Sequence, residues 1–289
     1  MRISEKFLHP AALAALFCTL LPGTGAYAAD DVDALLRQAA SGGHREAANV
    51  ARDAYRHPVE TLEFLGLRPD MTVVEIWPAR GWYTELLAPV LRAHGQLYEA
   101  SFSPEHETQA YRKEIQKAFL DKLAAHPEIY DRVKVTALKY PEETDIAPAG
   151  SADMVLTFRN VHNWLHAGHM DEMFAIFFRT LKAGGVLGVV EHRAKPGTSV
   201  EQMESTGYMA EDAVIAAAQK AGFVLEAKSE INANPKDDTN HESGVWTLPP
   251  TFAACRKIED ADAMAACREK YAAIGESDRM TLRFRKPPG

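Results

Sequence analysis

The chain of 289 residues sets 32 Lys+Arg against 40 Asp+Glu, a formal charge of −8, with 46% hydrophobic and 25% charged residues. That balance excludes a disordered chain and leaves no basic surplus to neutralise phosphates, so no nucleic-acid partner is expected. The length allows one large domain or two small ones.

At the N-terminus, Arg2 and Lys6 precede a mostly apolar run from Ala11 to Leu21, then Pro22, Gly23 and Ala26-Tyr27-Ala28. Small residues at both recognition positions of an A-x-A site mark residues 1–28 as a secretory signal peptide, cleaved after Ala28. The expected location is therefore periplasmic or secreted. The apolar run is well short of the ~20 residues of a membrane-spanning helix, so no stable membrane insertion is expected after cleavage. With Cys18 removed, only Cys255 and Cys267 remain. In an oxidising compartment they are a disulfide candidate, the other reading being two separate buried thiols.

Residues 29–70 form an N-terminal helical extension, with helical spacing of Val32, Leu35, Leu36 and Ala39, then Ala47, Val50, Ala51, Tyr55, Leu62 and Leu65. From Thr72 the character changes. Thr72 to Trp77 is a short β-branched strand, followed by a tight turn and an amphipathic helix from Trp82 to His94. Alternation continues through a strand at Gln96–Phe102, a helix at Glu105–Ala125 and strands at Val133–Leu138 and Asp153–Phe158. A helix at Met170–Leu181 and a strand at Val186–Glu191 follow. Glu211–Ala221 is a helix stopped by Gly222, and Phe223–Ala227 a strand. A polar stretch from Asn232 to Pro250 precedes a helical segment at Arg256–Ala273 and a last strand at Met280–Phe284. Strands separated mainly by helices favour a parallel sheet covered on both faces.

In such a sheet, ligands sit beyond the carboxyl ends of the strands, and the first strand-to-helix turn approaches them most closely. Here an acidic residue, Glu75, leads into Trp77-Pro78-Ala79-Arg80-Gly81. This stretch resembles motif I of the class I S-adenosylmethionine-dependent methyltransferases. Ser151 to Leu156 is similar to that family's fourth strand, Arg159 to Trp164 to the segment facing the methyl group, and Leu181 to Gly185 to the turn before the fifth strand. Gly81-Trp82-Tyr83, Arg159-Asn160-Val161-His162, Asn234 to Asp238 and Val245 to Pro250 are similar to a group of exported, predicted methyltransferases.

The resemblance implies an α/β fold over residues 71–289: a Rossmann-like class I methyltransferase sheet with helices on both faces, beside the helical extension. It further implies S-adenosylmethionine as cofactor and methyl transfer to a small-molecule substrate. Glu75, Ala79 and Gly81 would form the cofactor turn. Ser101 stands where the family ends its second strand with a ribose-binding acid, Glu99 lies two positions earlier on the same strand face, and Asp145 is a candidate for the adenine end. Trp77 and Ala79 replace two of the three customary glycines, and a side chain there obstructs close backbone approach.

Methyl transfer needs an electrophilic sulfonium and an aligned nucleophile, so much of the catalysis can come from orientation. His162 is the candidate base or orienting group, with Asn160 beside it, because an imidazole titrates near neutrality. Asn163, Trp164 and His192 are candidate substrate contacts, with Glu191 secondary. Two competing readings remain open. One is a methyltransferase fold that binds a small molecule without catalysis. The other is an exported metal-binding protein using His162, His166 and His169, which the expected loop at Gly168 opposes; no metal ligand is assigned.

Overall fold

The computed structural model describes residues 29–289. Residues 1–28, expected to be a signal peptide, lie outside them. Four helices come first: α1 (Ala29–Ala40), α2 (Ala47–Val50), α3 (Asp53–Arg56) and α4 (Pro58–Leu65). Pro58 starts α4, and Gly66, left-handed at φ 85°, ends it. The sheet domain then runs β1 (Thr72–Ile76), α5 (Thr84–Leu91), β2 (Gln96–Ser101), α6 (Ala110–Ala125), α7 (Pro127–Tyr130) and β3 (Lys134–Ala137). It continues with β4 (Ala152–Phe158), α8 (Val161–His166), α9 (Met170–Thr180), β5 (Leu181–His192), α10 (Val200–Thr206) and α11 (Glu211–Lys220). Last come β6 (Val224–Ser229), short 3-10 turns at Gly244–Thr247 and Cys255–Lys257, α12 (Ala261–Ala272) and β7 (Arg279–Arg285).

The seven strands form one sheet in the order β3-β2-β1-β4-β5-β7-β6. Reversal of strand order between β1 and β4 puts the crevice at their carboxyl ends, where loops from both halves diverge. Side-chain alternation sorts the faces. Val74 and Ile76 of β1 pack with Trp164, Phe174 and Phe177 on one side, while Val73 packs with Leu36, Leu62, Leu65, Leu86 and Leu87 on the other. The result is a three-layer α/β domain whose second layer includes α1 and α4 of the N-terminal segment.

Four local expectations are corrected. The sheet is not wholly parallel: β7 runs antiparallel to both β5 and β6 and inserts between them. The first turn of the expected helix at Glu105 is instead a capped loop. Ser103 Oγ accepts from Glu105 N and His106 N, and the Glu107 carboxylate accepts from Thr108 N and Gln109 N, which delays α6 to Ala110. β5 begins at Leu181 rather than Val186, since Gly184, left-handed at φ 75°, takes its place within the strand. Val161–His166, expected as loop, is helical. Cys255 and Cys267 are joined as a disulfide, which ties the turn after Ala254 to α12.

The polar stretch after β6 is anchored by one buried carboxylate. Asp237 accepts from Tyr208 Oη at 2.9 Å, Thr239 N at 2.9 Å and Asp278 N at 2.8 Å, and pairs with His241 Nε2 at 2.8 Å. Gly244 then passes close over α10: with φ at +54°, a Cβ there would lie 2.1 Å from Thr206 O. Gly244→Ala is therefore expected to lose about 1–3 kcal/mol by overpacking, read as a lower urea midpoint. Gly43→Ala, whose methyl meets nothing within 4 Å, serves as the unaffected control.

Candidate active site

The turn after β1 keeps a glycine-type backbone without the glycines. Trp77, Ala79 and Gly81 are left-handed at φ 46°, 54° and 79°. For the two L-residues this conformation costs on the order of 1–2 kcal/mol each, and such strain persists only where surrounding contacts enforce it. At Gly81 the requirement is also steric, because a Cβ would lie 3.0 Å from the Phe119 ring. Trp77 is fixed by its N–H to Ala100 O at 2.8 Å and by Nε1 donating to Leu138 O at 3.1 Å. Its ring lies 5.2 Å from Phe102, and the Arg112 guanidinium caps both rings.

The indole is thus held on the β2–β3 side as a wall. Beside it remains a cavity of about 310 Å³, lined by Trp77, Pro78 and Ala79 of the turn and by Phe102, Tyr83 and Phe158. That volume falls in the range of small-molecule sites. A retained turn conformation, aromatic walls and an open cavity at the strand ends fit a sulfonium nucleoside bearing an amino acid. The ribose-binding acid is missing from this arrangement.

Glu75 and Glu99 are paired in register on β1 and β2, and both are buried. Glu75 reaches the cavity edge and accepts from Thr84 Oγ1 at 3.2 Å. Glu99 does not line the cavity, and neither of its oxygens has a hydrogen-bond partner of ordinary geometry. Ser101 is also buried outside the cavity wall. Asp145 is almost fully exposed, bonded to Arg179 and remote from this cleft. Of the candidate cofactor residues, Glu75 at the end of β1 and Ala79 of the turn line the cavity, Gly81 lies in the same turn, and Glu99, Ser101 and Asp145 are not brought to the cavity.

After β4 the chain turns through Arg159, left-handed at φ 62°, into α8. Asn160 gives its Nδ2 to Ile76 O at 2.8 Å, tying the ends of β4 and β1 together. His162 Nδ1 lies 3.1 Å from Glu191 Oε1, and Asn163 Nδ2 lies 3.1 Å from His162 Nε2. With Asn163 donating, Nε2 is the acceptor nitrogen and Nδ1 carries the proton toward Glu191. The second Glu191 oxygen accepts Val161 N at 2.6 Å, fixing the carboxylate from below.

His192 also lines the cavity, with Nδ1 2.5 Å from Ser277 Oγ. Burial, then His162, Arg159, Arg279 and Arg56, hold its pKa well below the usual value, so the ring is neutral. Trp164 is not a substrate contact: it is buried, 5.8 Å from Trp77, and buttresses that indole from behind. His166 is exposed and His169 packs on Tyr140, so the histidine trio read as a metal candidate is not assembled. The ligand atoms of His162, Glu191 and His192 do lie within 4.8 Å of one another.

Sequence reading missed the opposite wall, which is built by Arg52, Arg56, Glu276 and Ser277. Glu276 accepts from Arg52 Nε at 2.5 Å and Arg56 Nε at 3.0 Å, with Arg279 at 3.4 Å. Burial acts to raise the Glu276 carboxyl, but Arg56, Arg279, Arg159 and Arg52 outweigh it and hold it at about 2. Desolvation lowers Arg56 to about 9 and Arg159 to about 10, so both stay charged at neutral pH. Trp246, Pro249 and Pro250 form the roof.

No family model matches the sequence, and no curated protein matches it either. Solved structures do. A protein described as a sarcosine dimethylglycine methyltransferase from Galdieria sulphuraria superposes with a TM-score of 0.55 at 13% identity, over 91% of this chain and 100% of its own. The [4+2]-cyclase SpnF does so with 0.54 at 19% identity, over 89% and 93%. Phosphoethanolamine N-methyltransferase 2 from Haemonchus contortus, in complex with S-adenosyl-L-methionine, gives 0.52 at 14%, over 91% and 58%. The chain has the class I methyltransferase fold. At these identities the likeness establishes the architecture, and the chemistry rests on the residues of the site.

The Glu75–Glu99 pair yields a pH prediction. Burial raises the Glu75 carboxyl from 4.5 to about 7, and burial followed by the Glu75 charge raises Glu99 well above its usual range. Raised folded-state values mean that this contribution to stability is fully present below pH 4.5 and is lost as pH rises through about 7. Glu99→Gln should therefore flatten the decline in Tm between pH 5 and 8 (roughly the ordinary and raised carboxyl ranges). Parallel Tm curves for variant and wild type would show that the Glu99 carboxyl is not raised in the folded protein.

Proposed function

We propose that this chain is an S-adenosylmethionine-dependent methyltransferase for a small-molecule acceptor, exported to the periplasm or the medium. The observation that carries the reading is the turn itself, since Trp77 and Ala79 hold the left-handed backbone of a glycine turn at a conformational cost, beside an open cavity. Fold neighbours described as methyltransferases, one of them holding S-adenosyl-L-methionine, support it. Export is supported by the N-terminal leader pattern, and the Cys255–Cys267 bridge suits an oxidising compartment.

Turn residues Trp77 to Gly81, with Phe102, would hold the cofactor, which when bound supplies an electrophilic methyl group on a sulfonium. The chain's part is to orient the acceptor and move its proton. His162 Nε2, whose one lone pair accepts from Asn163 Nδ2, would take a proton from an acceptor O–H or N–H that displaces this amide, and Glu191 stabilises the imidazolium that results. Asn163 orients the same nitrogen, and Asn160 fixes the loop that carries both. Neutral His192 adds a hydrogen-bonding face, and the Trp246 roof limits water.

A second reading, small-molecule binding without methyl transfer, is favoured by Ser101 and Glu99, which leave the nucleoside end without its acid. The cyclase SpnF has the same architecture under a different chemistry, so the fold does not choose between them. Calorimetric titration with S-adenosylmethionine and S-adenosylhomocysteine decides. Binding of both is expected, together with a rise in Tm; absence of heat and of stabilisation by either moves the assignment to the second reading. With labelled cofactor and a panel of small acceptors, His162→Gln is expected to lower transfer by about 10²–10⁴-fold with cofactor affinity unchanged.

A further inference from the structure

The cavity carries more positive charge than its own structure uses. Arg52, Arg56, Arg159 and Arg279 gather around the single carboxylate of Glu276, and the partner assignments leave donors over. Arg52 and Arg56 each spend Nε on Glu276, while the Nη2 of each is buried without an acceptor. Arg159, at the end of β4, makes no side-chain hydrogen bond or ion pair among the described residues, although it lines the same cavity. Arg56 cannot simply turn to solvent, because its guanidinium lies 4.6 Å over the Trp82 ring and its side chain is 3% exposed.

Buried donors without acceptors are rare in folded proteins, and charged ones rarer. Arg159 lines the cavity with its guanidinium unpaired among the described residues, and Arg52 and Arg56 line it with one buried Nη2 each lacking an acceptor; planar guanidiniums match the paired oxygens of a carboxylate or phosphate. The same guanidiniums oppose a bare metal ion at His162, Glu191 and His192.

We propose that Arg52, Arg56 and Arg159 form a receptor for a carboxylate or phosphate group carried by the acceptor. Calling that ligand the acceptor rests on the methyl-transfer reading; the anion site itself does not. The shared chemistry has a second source, the carboxylate of the cofactor's own amino-acid end, so the test must separate the two.

Mature protein is saturated with S-adenosylhomocysteine and titrated with inorganic phosphate and, separately, succinate at fixed ionic strength, followed by calorimetry and Tm. At least one of the two anions is expected to bind alongside the nucleoside and raise Tm. Arg159→Gln should weaken that anion by about ten-fold or more while leaving S-adenosylhomocysteine affinity essentially unchanged. Arg52→Gln, at a side chain 23% exposed and so less costly to the fold, should do the same. The proposal is overturned if neither anion binds, if both variants bind it as tightly as wild type, or if the anion displaces S-adenosylhomocysteine and the variants lose that ligand instead. The last result assigns the guanidiniums to the cofactor's carboxylate. Arginine-dependent anion binding by a protein that takes no S-adenosylhomocysteine supports the anion site and removes the methyl-transfer reading.

Discussion

Glu276 is the point at which the two ends of the described chain meet. Its carboxylate holds Arg52 and Arg56 from the N-terminal segment and Arg279 from the start of β7. Removing one partner of a buried ion pair typically costs about 3–5 kcal/mol, because the charge left behind has lost its counter-ion and has no water. An apolar contact of the same volume would close the two ends together at no such risk. The ionic solution gives the cavity a rigid, charged wall, and it requires that α3 be seated before that wall exists.

The same cluster explains why half of the site escaped sequence reading. Arg52 and Arg56 are 224 and 220 positions from Glu276, and an arginine in a polar N-terminal segment reads as a solvated charge. What was legible came from local pattern. The strand–turn–helix signal at Thr72 to His94 located the turn, and the end of β4 located His162, Asn160 and Asn163. Glu99 shares its strand face with Ser101, and neither side chain lines the cavity. Trp164 carried a plausible pocket residue type and instead supports the wall from behind.

Architecture was more legible than topology. Periodicity gave most strands within a few residues, whereas the antiparallel insertion of β7 depends on a chain reversal that no local signal encodes. The late start of α6 is similar in kind: Ser103 and Glu107 satisfy backbone N–H groups that a helix would otherwise have used. The sequence between Asn232 and Pro250 reads as an open polar loop, yet Asp237 collects four partners and turns it into a fixed roof support.

Tryptophan placement has a practical corollary. The chain has four indoles; Trp77, Trp82 and Trp246 line the cavity, and Trp164 stands 5.8 Å behind Trp77. Nearly all of the intrinsic near-ultraviolet emission therefore originates at or just behind the cleft. Two of those rings lie under guanidiniums. The molecule carries its own unlabelled optical gauge of occupancy.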